Sequence, residues 1–255
     1  MAKQHPGSTI TGTIGGIIYY KMGDHYYARM KTSHSRNKQL HSSNFANTRK
    51  QMADFGTISK ANKLLRDSLT EHIAGFRSSH LVAKLTRQLK TVLDHDEFNE
   101  VGERKLMDGD ARLLKGFDFN EEAPACRMIK PKVNAVIDRR TGKAAVKIAA
   151  APSQQFTEAT ESTTHCSLHL VALVANLDTG KAEIRETATG KFSPDKAVAA
   201  MELEVELPAP GNRVVLLVLV LKFFSIAPNG FETRVARASR DMVTIVDVST
   251  IDDRS

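Results

Sequence analysis

Val214-Val-Leu-Leu-Val-Leu-Val-Leu-Lys-Phe-Phe224 contains the longest apolar run of the chain, and its reading decides the fold. The run shows no alternation of apolar with polar residues, so it has no face reserved for water. A β-branched and leucine-rich segment of this kind suits a strand covered on both faces. Residues 214–221 are also far short of the roughly 20 apolar residues that span a bilayer as a helix.

Working outward, residues 201–207 alternate strictly, with Met201, Leu203, Val205 and Leu207 against Glu202, Glu204 and Glu206. That is the period of a half-buried strand, and Pro208-Ala-Pro-Gly-Asn212 ends it. Residues 231–238 and 242–248 read as further strands. Upstream, residues 127–138 and 144–150 flank one turn, and residues 167–177 and 182–187 flank another. Gly142 and Gly180 stand where each turn requires positive φ. Seven or eight strands with frequent turn signals and no interleaved helices predict an antiparallel β-sandwich over residues 116–255, Ig-like or jelly-roll-like.

The texture before residue 116 is different. From Ser43, a plausible helix cap, to about residue 73, Phe45, Met52, Phe55, Ile58, Ala61, Leu65, Leu69 and Ile73 recur at helical intervals. Gly56 weakens the case for one unbroken helix. A second helix is expected after Ser78-Ser79, with Val82, Leu85, Leu89 and Val92 inward. Asp94, Asp96 and Glu97 stand near its end, where the helix dipole does not favour them. Residues 32–43 are polar and aperiodic and predict an exposed linker. Residues 9–31 predict a hairpin: Ile10, Gly12 and Ile14 alternate with threonines, Gly15-Gly16 interrupts as a bulge or a close backbone approach would, and residues 17–20 resume. Met22-Gly23-Asp24 supplies the turn, and Tyr26, Ala28 and Met30 share a face on the return. The chain is thus expected to be α+β, with an arm (1–31), a basic helical region (32–115) and a sandwich (116–255).

Charge is uneven along the chain. Residues 1–90 hold 15 Lys and Arg against 4 Asp and Glu, although the whole chain is only +7. A basic front attracts nucleic acid, an acidic surface, or the acidic back of another copy. The absence of Trp and an aromatic content of 6% argue against base-stacking platforms. Cys126 and Cys166 form neither a CxxC nor a zinc spacing and are expected as reduced, partly buried thiols. The opening residues lack the apolar stretch of a secretory signal, so a cytoplasmic location is expected, with release by lysis or specialised export left open.

Catalytic patterns are weak. Three TGK triplets, at residues 141–143, 179–181 and 189–191, lack the earlier glycine of a phosphate loop and read as turns. His165, Ser167 and His169 share a strand face, without an identifiable third metal ligand. Ser193-Pro-Asp-Lys196 matches SxxK but stands in a loop. Asp94, Asp96, Glu97 and Glu100 lack calcium-loop spacing and read as a solvated helix end. No catalytic residue, metal or cofactor is assigned, and an enzyme is not expected.

Residues 12–21 (Gly-Thr-Ile-Gly-Gly-Ile-Ile-Tyr-Tyr-Lys), residues 55–66 (Phe-Gly-Thr-Ile-Ser-Lys-Ala-Asn-Lys-Leu-Leu-Arg), Val101-Gly-Glu-Arg104 and residues 113–120 (Leu-Leu-Lys-Gly-Phe-Asp-Phe-Asn) resemble a family of hypothetical proteins from Bacteroidota. The resemblance covers most of residues 9–120 and, more loosely, the β part. It implies the two-part layout and a bacterial origin, and it assigns no activity or functional residue.

Function is therefore expected from surfaces. A hairpin arm that cannot satisfy itself is suited to docking on a neighbour, through Ile10, Ile14, Gly15, Gly16, Ile18, Tyr20, Tyr26 and Tyr27. The expectation is a homopolymeric structural protein: a filament, tube, sheath or shell. The alternative is nucleic-acid binding through helical rows of Arg49, Lys50, Lys60, Lys63, Arg66, Lys84, Arg87 and Lys90, which could track phosphates or an acidic partner. No membrane role is expected.

Overall fold

The computed structural model describes residues 2–3, 10–31, 36–74, 76, 78–153, 156, 164–209, 211–226, 232–234 and 241–250 of the 255. Two compact units divide between Arg49 and Lys50.

The first unit holds β1 (Ala2–Lys3), β2 (Gly12–Ile14), β3 (Ile17–Met22), β4 (His25–Met30) and helix α1 (Arg36–His41). Its strands form one antiparallel sheet in the order β1-β4-β3-β2. This corrects the expected two-stranded hairpin. Gly15 and Gly16 are the two central residues of a turn between β2 and β3, with φ of +56° and +82°, and Ile14 pairs directly with Ile17. Two successive positive φ angles match the twist of flanking strands, and glycine adopts them without strain. The pair therefore reverses the chain instead of bulging it. Gly23, at φ +62°, makes the expected second turn. The expected linker is also partly helical, as α1 shows. Thr9 and residues 32–35 lie outside the described residues.

Helix α2 (Ala46–Ser68) follows a 3-10 turn at Ser43–Phe45, whose cap residue is Ser42 with no side-chain cap bond. Gly56 does not break α2. The chain bends at Leu69 instead, and a single further turn forms α3 (Thr70–Ile73), so the helix expected to run to residue 73 ends five residues earlier. Ile58, Ala61, Leu65, Leu69 and Ile73 are buried as expected, whereas Met52 and Phe55 are exposed. At that end of α2 the buried face belongs to Asp54, whose carboxylate accepts the Gly102 amide at 2.8 Å. Helix α4 (Ser78–Asp94) buries Leu81, Leu85, Leu89, Val92 and Leu93. Asn62 joins the two helices: its buried amide donates to the Val82 carbonyl and the Thr86 hydroxyl, each at 3.0 Å.

After a helical turn, α5 (Ala125–Met128), eight strands follow among the described residues: β5 (Val133–Asp138), β6 (Lys143–Ile148), β7 (His165–Asn176), β8 (Lys181–Ala188), β9 (Met201–Glu206), β10 (Val214–Ile226), β11 (Glu232–Arg234) and β12 (Met242–Ser249). Residues 231 and 235–238, expected in a strand, lie outside the described residues. One antiparallel sheet runs β5-β6-β9. The other runs β8-β7-β10, with β11 and β12 both pairing the far side of β10.

Strand β10 is covered on both sides, and its residues take turns. Val214, Leu216, Val218 and Val220 join α2, α4 and the loop after α4 in one apolar layer. Leu217, Leu219, Leu221 and Phe223 join Val146, Ile148, Leu203 and Val205 of the smaller sheet in a second layer. Neither neighbour leaves β10 a wet face, which is why its sequence shows no alternation. The structure is thus mixed α+β, and its second unit has helices and two antiparallel sheets built around two apolar layers.

Candidate functional site

In the first unit, cross-strand pairing sorts the arm residues onto two faces. Ile18 opposes Arg29 and Tyr20 opposes Tyr27, so these share one face. The Tyr20 and Tyr27 rings stack with centroids 5.9 Å apart, and the Arg29 guanidinium lies 5.8 Å from the Tyr20 centroid. The other face carries Ile14, Ile17, Tyr19, Tyr26, Ala28 and Met30, with Lys21 Nζ 5.6 Å from the Tyr26 centroid. Neither face is dry. None of residues 10–31 and 39–49 is buried, and Ile14 and Met30 are 57% and 77% exposed. Ile10 precedes β2 and is also exposed, and Gly15 and Gly16 occupy the turn.

The basic rows are largely occupied within the protein. Arg49 donates to the carbonyls of Gln39 and Ser42, at 3.0 and 2.8 Å. Lys50 pairs with Glu100, Arg66 donates to Asn62 Oδ1, Lys84 donates to the Asp118 carbonyl, and Lys90 pairs with Asp94. Among the described residues only Lys60, Lys63 and Arg87 of the eight have no such partner.

The acidic stretch after α4 is dispersed into separate tasks, which accounts for charges that the dipole alone disfavours. Asp94 pairs with Lys90 and with Arg104 at 2.8 Å. Asp96 accepts the amides of Phe98, Asn99 and Lys105 and the Asn99 side chain, fixing the loop that follows. Burial pushes its pKa up, but those bonds together outweigh burial and hold it below the ordinary carboxylate value. Asp178, in the β7–β8 turn, accepts the amides of Leu106 and Met107 from the same loop, and burial raises its pKa.

The two hairpin TGK triplets lie in parallel constructions. Asp138 accepts the amides of Arg140 and Thr141, Asn176 accepts those of Asp178 and Thr179, and Gly142 and Gly180 take φ of +69° and +73°. These are side-chain-capped turns. The third triplet is fastened to β7, where Thr189 and Leu168 exchange bonds. Cys126 is exposed, contrary to expectation, because α5 turns it outward; Cys166 is buried.

A polar chain, of which the sequence showed only Ser167 and His169, spans β7, β8 and α3. Ser167 Oγ lies 3.0 Å from His169 Nε2, His169 Nδ1 lies 2.6 Å from Glu186 Oε1, and Glu186 Oε2 lies 3.4 Å from His72 Nε2. His165, the third residue on that strand face, bonds instead to Thr164. Burial is the main reason that His72 is held down to about 4, aided by the charge of Lys222 and opposed by Glu186. Burial also lowers His169 against its bond to Glu186. The order of atoms is that of a serine paired with a base and an orienting carboxylate. Ser167, however, is only 4% exposed, and the next amide, Leu168, donates to Thr189 Oγ1. The chain acts as a clasp between α3 and the sheet. Among the described residues, no three His, Cys, Asp or Glu side chains are arranged to hold a metal ion, and no helix is long and apolar enough to cross a membrane.

Compared with family models, curated proteins and solved structures, the chain matches none.

Proposed function

We propose that this chain is a non-enzymatic structural protein that assembles with copies of itself through its N-terminal sheet, in the cytoplasm or after release from it. One observation carries the reading: none of residues 10–31 and 39–49 is buried. A sheet needs a covered apolar face to persist in water. Covering exposed side chains such as Ile14 and Met30 would contribute about 1.5–3 kcal/mol each. A second copy is the natural cover, because residues 1–49 hold seven Lys and Arg against the single Asp24, whereas the balance of residues 91–255 is acidic. Contact of one copy's front with another's back is heterologous and propagates into rings or filaments.

Nucleic-acid binding is less well supported, since most of the basic residues proposed for it already hold partners within the chain. The pairing order also supports an Ig-like sandwich over a jelly roll. Strands β5-β6-β9 and β8-β7-β10-β12 correspond to A-B-E and C′-C-F-G in the lettering of that architecture.

The assembly reading predicts large particles of purified protein in light scattering and negative-stain microscopy. Deleting residues 1–31 should disperse them while the circular dichroism of the remaining unit persists. A full-length protein that stays monomeric at high concentration would refute it.

A further inference from the structure

A groove of about 640 Å³ runs between β5 and β12, with residues 133–136 on one wall, residues 244–246 on the other, and Lys115 and Gly116 among its lining. Consecutive residues on each wall mean that the groove follows two strand edges and not one side-chain face. Strand β5 ends its sheet, and among the described residues its only ladder partner is β6. The outer edge of β12 is partly taken up, by backbone bonds of Gly116 and Phe117 to Ile245 and of Phe119 to Val243. Past Ile245 the register shifts, Val246 stands as an extra residue, and no further backbone bond covers that edge among the described residues. Val136, 60% exposed, stands at the β5 side. Unpaired edges flanking an apolar slot are what an added strand fills.

We infer that this groove receives β2 of a second copy, an inference that rests on the assembly reading above. Strand β2 closes the far end of the N-terminal sheet, so one of its edges is paired to β3 and the other has no ladder partner among the described residues. Pairing β2 with β5 joins the two sheets of neighbouring copies into one, running β9-β6-β5 and on through β2, β3 and β4 of the second copy. Charge favours this junction. The open face beside the groove carries Asp138, Glu202, Glu204 and Glu206 against Lys132, Lys143 and Lys147, and Lys115 of the groove is paired with Asp247, whereas residues 10–31 carry Lys21, Arg29 and Lys31 against Asp24. Ile14, more than half exposed, gains cover beside Val136.

The test uses full-length chains in which Cys126→Ser removes the exposed native thiol. One preparation carries Thr11→Cys or Thr13→Cys, the other Asn134→Cys or Val136→Cys, and the two are mixed and mildly oxidised. A disulfide needs Cα atoms within about 7 Å, so only adjacent strands cross-link. Expected are particles in every preparation and a covalent pair in at least one mixture. A control with Lys147→Cys, on β6, should give none. Particles without any cross-link to β5 would overturn this docking site and leave self-assembly standing. Absence of particles in the unsubstituted protein would overturn both. As a second measurement, Ala135→Pro removes an amide that faces the open edge and leaves the β5–β6 ladder bonds of Asn134 and Val136 in place, so it should abolish particles while far-UV circular dichroism stays unchanged; particles that persist in a folded Ala135→Pro protein would also overturn the site.

Discussion

His169 Nδ1 lies 2.6 Å from one oxygen of Glu186, and His72 Nε2 lies 3.4 Å from the other, so a single carboxylate on β8 ties the central sheet to α3. Both imidazoles are mostly buried, and His72 Nδ1 has no hydrogen-bond partner among the described residues. The clasp is therefore built for neutral rings.

Acid should open it. In the folded protein His72 titrates at about 4, whereas an unfolded histidine titrates near 6.5. Above 6.5 both states are neutral and the group has no effect. As pH falls from 6.5 toward 4, the unfolded chain takes up a proton that the folded one refuses. Stability is lost across that window, by up to about 3 kcal/mol. His169, shifted in the same direction, adds to the loss. Urea midpoints between pH 7 and 4.5 should fall more steeply for the parent than for His72→Gln. Parallel curves would refute this.

Asn62 is 2% exposed, and its amide links α2 to α4. Asn62→Ala removes both bonds and takes the Asn62 acceptor from Arg66 Nε, and should cost about 1–3 kcal/mol in equilibrium unfolding. A loss within measurement error would mean that water replaces the amide.

Leu219→Ala removes side-chain volume from the layer between the sheets and should cost about 2–5 kcal/mol. Val136→Ala, at an exposed edge, should stay within about 0.5 kcal/mol in the monomeric protein. Chemical denaturation of residues 32–255 compares the two without assembly. Equal effects would contradict the burial pattern.

The two thiols should differ in kinetics. Burial, and then Asp195, push the Cys166 pKa up to about 12, whereas Cys126 is exposed. An aromatic disulfide reagent should titrate one thiol per native chain quickly and the second only on unfolding. Cys126→Ser should abolish the fast phase, and a fast phase that survives it would place Cys166 within reach of solvent.

Much of the second unit was legible in the sequence because it rests on local patterns. Strand β10 lacked alternation and is covered on both faces; residues 201–207 alternated and form a half-buried strand; Gly142 and Gly180 mark turns. What escaped depends on partners remote in the chain. A Gly-Gly pair within alternating residues fits a bulge or a reversal, and only the Ile14–Ile17 pairing distinguishes them. Met52 and Phe55 continue the apolar spacing of α2, yet the covering chain there meets Asp54 instead. The clasp was half visible, in Ser167 and His169 two residues apart. Glu186 comes from the next strand and His72 from before the sandwich begins, and no spacing rule links them.

The double cover of β10 has a consequence for biogenesis. This segment combines high strand propensity, scarcely any charge and no proline, the character of a seed for cross-strand stacking between unfolded molecules. As the polypeptide emerges from the ribosome, β7 precedes β10 but β12 follows it, so one flank stays bare until β12 has been made. Arg213 just before the run and Lys222 within it are placed as charged gatekeepers for that interval. Neutralising both should shift recombinant product toward inclusion bodies, even where the native state tolerates the change.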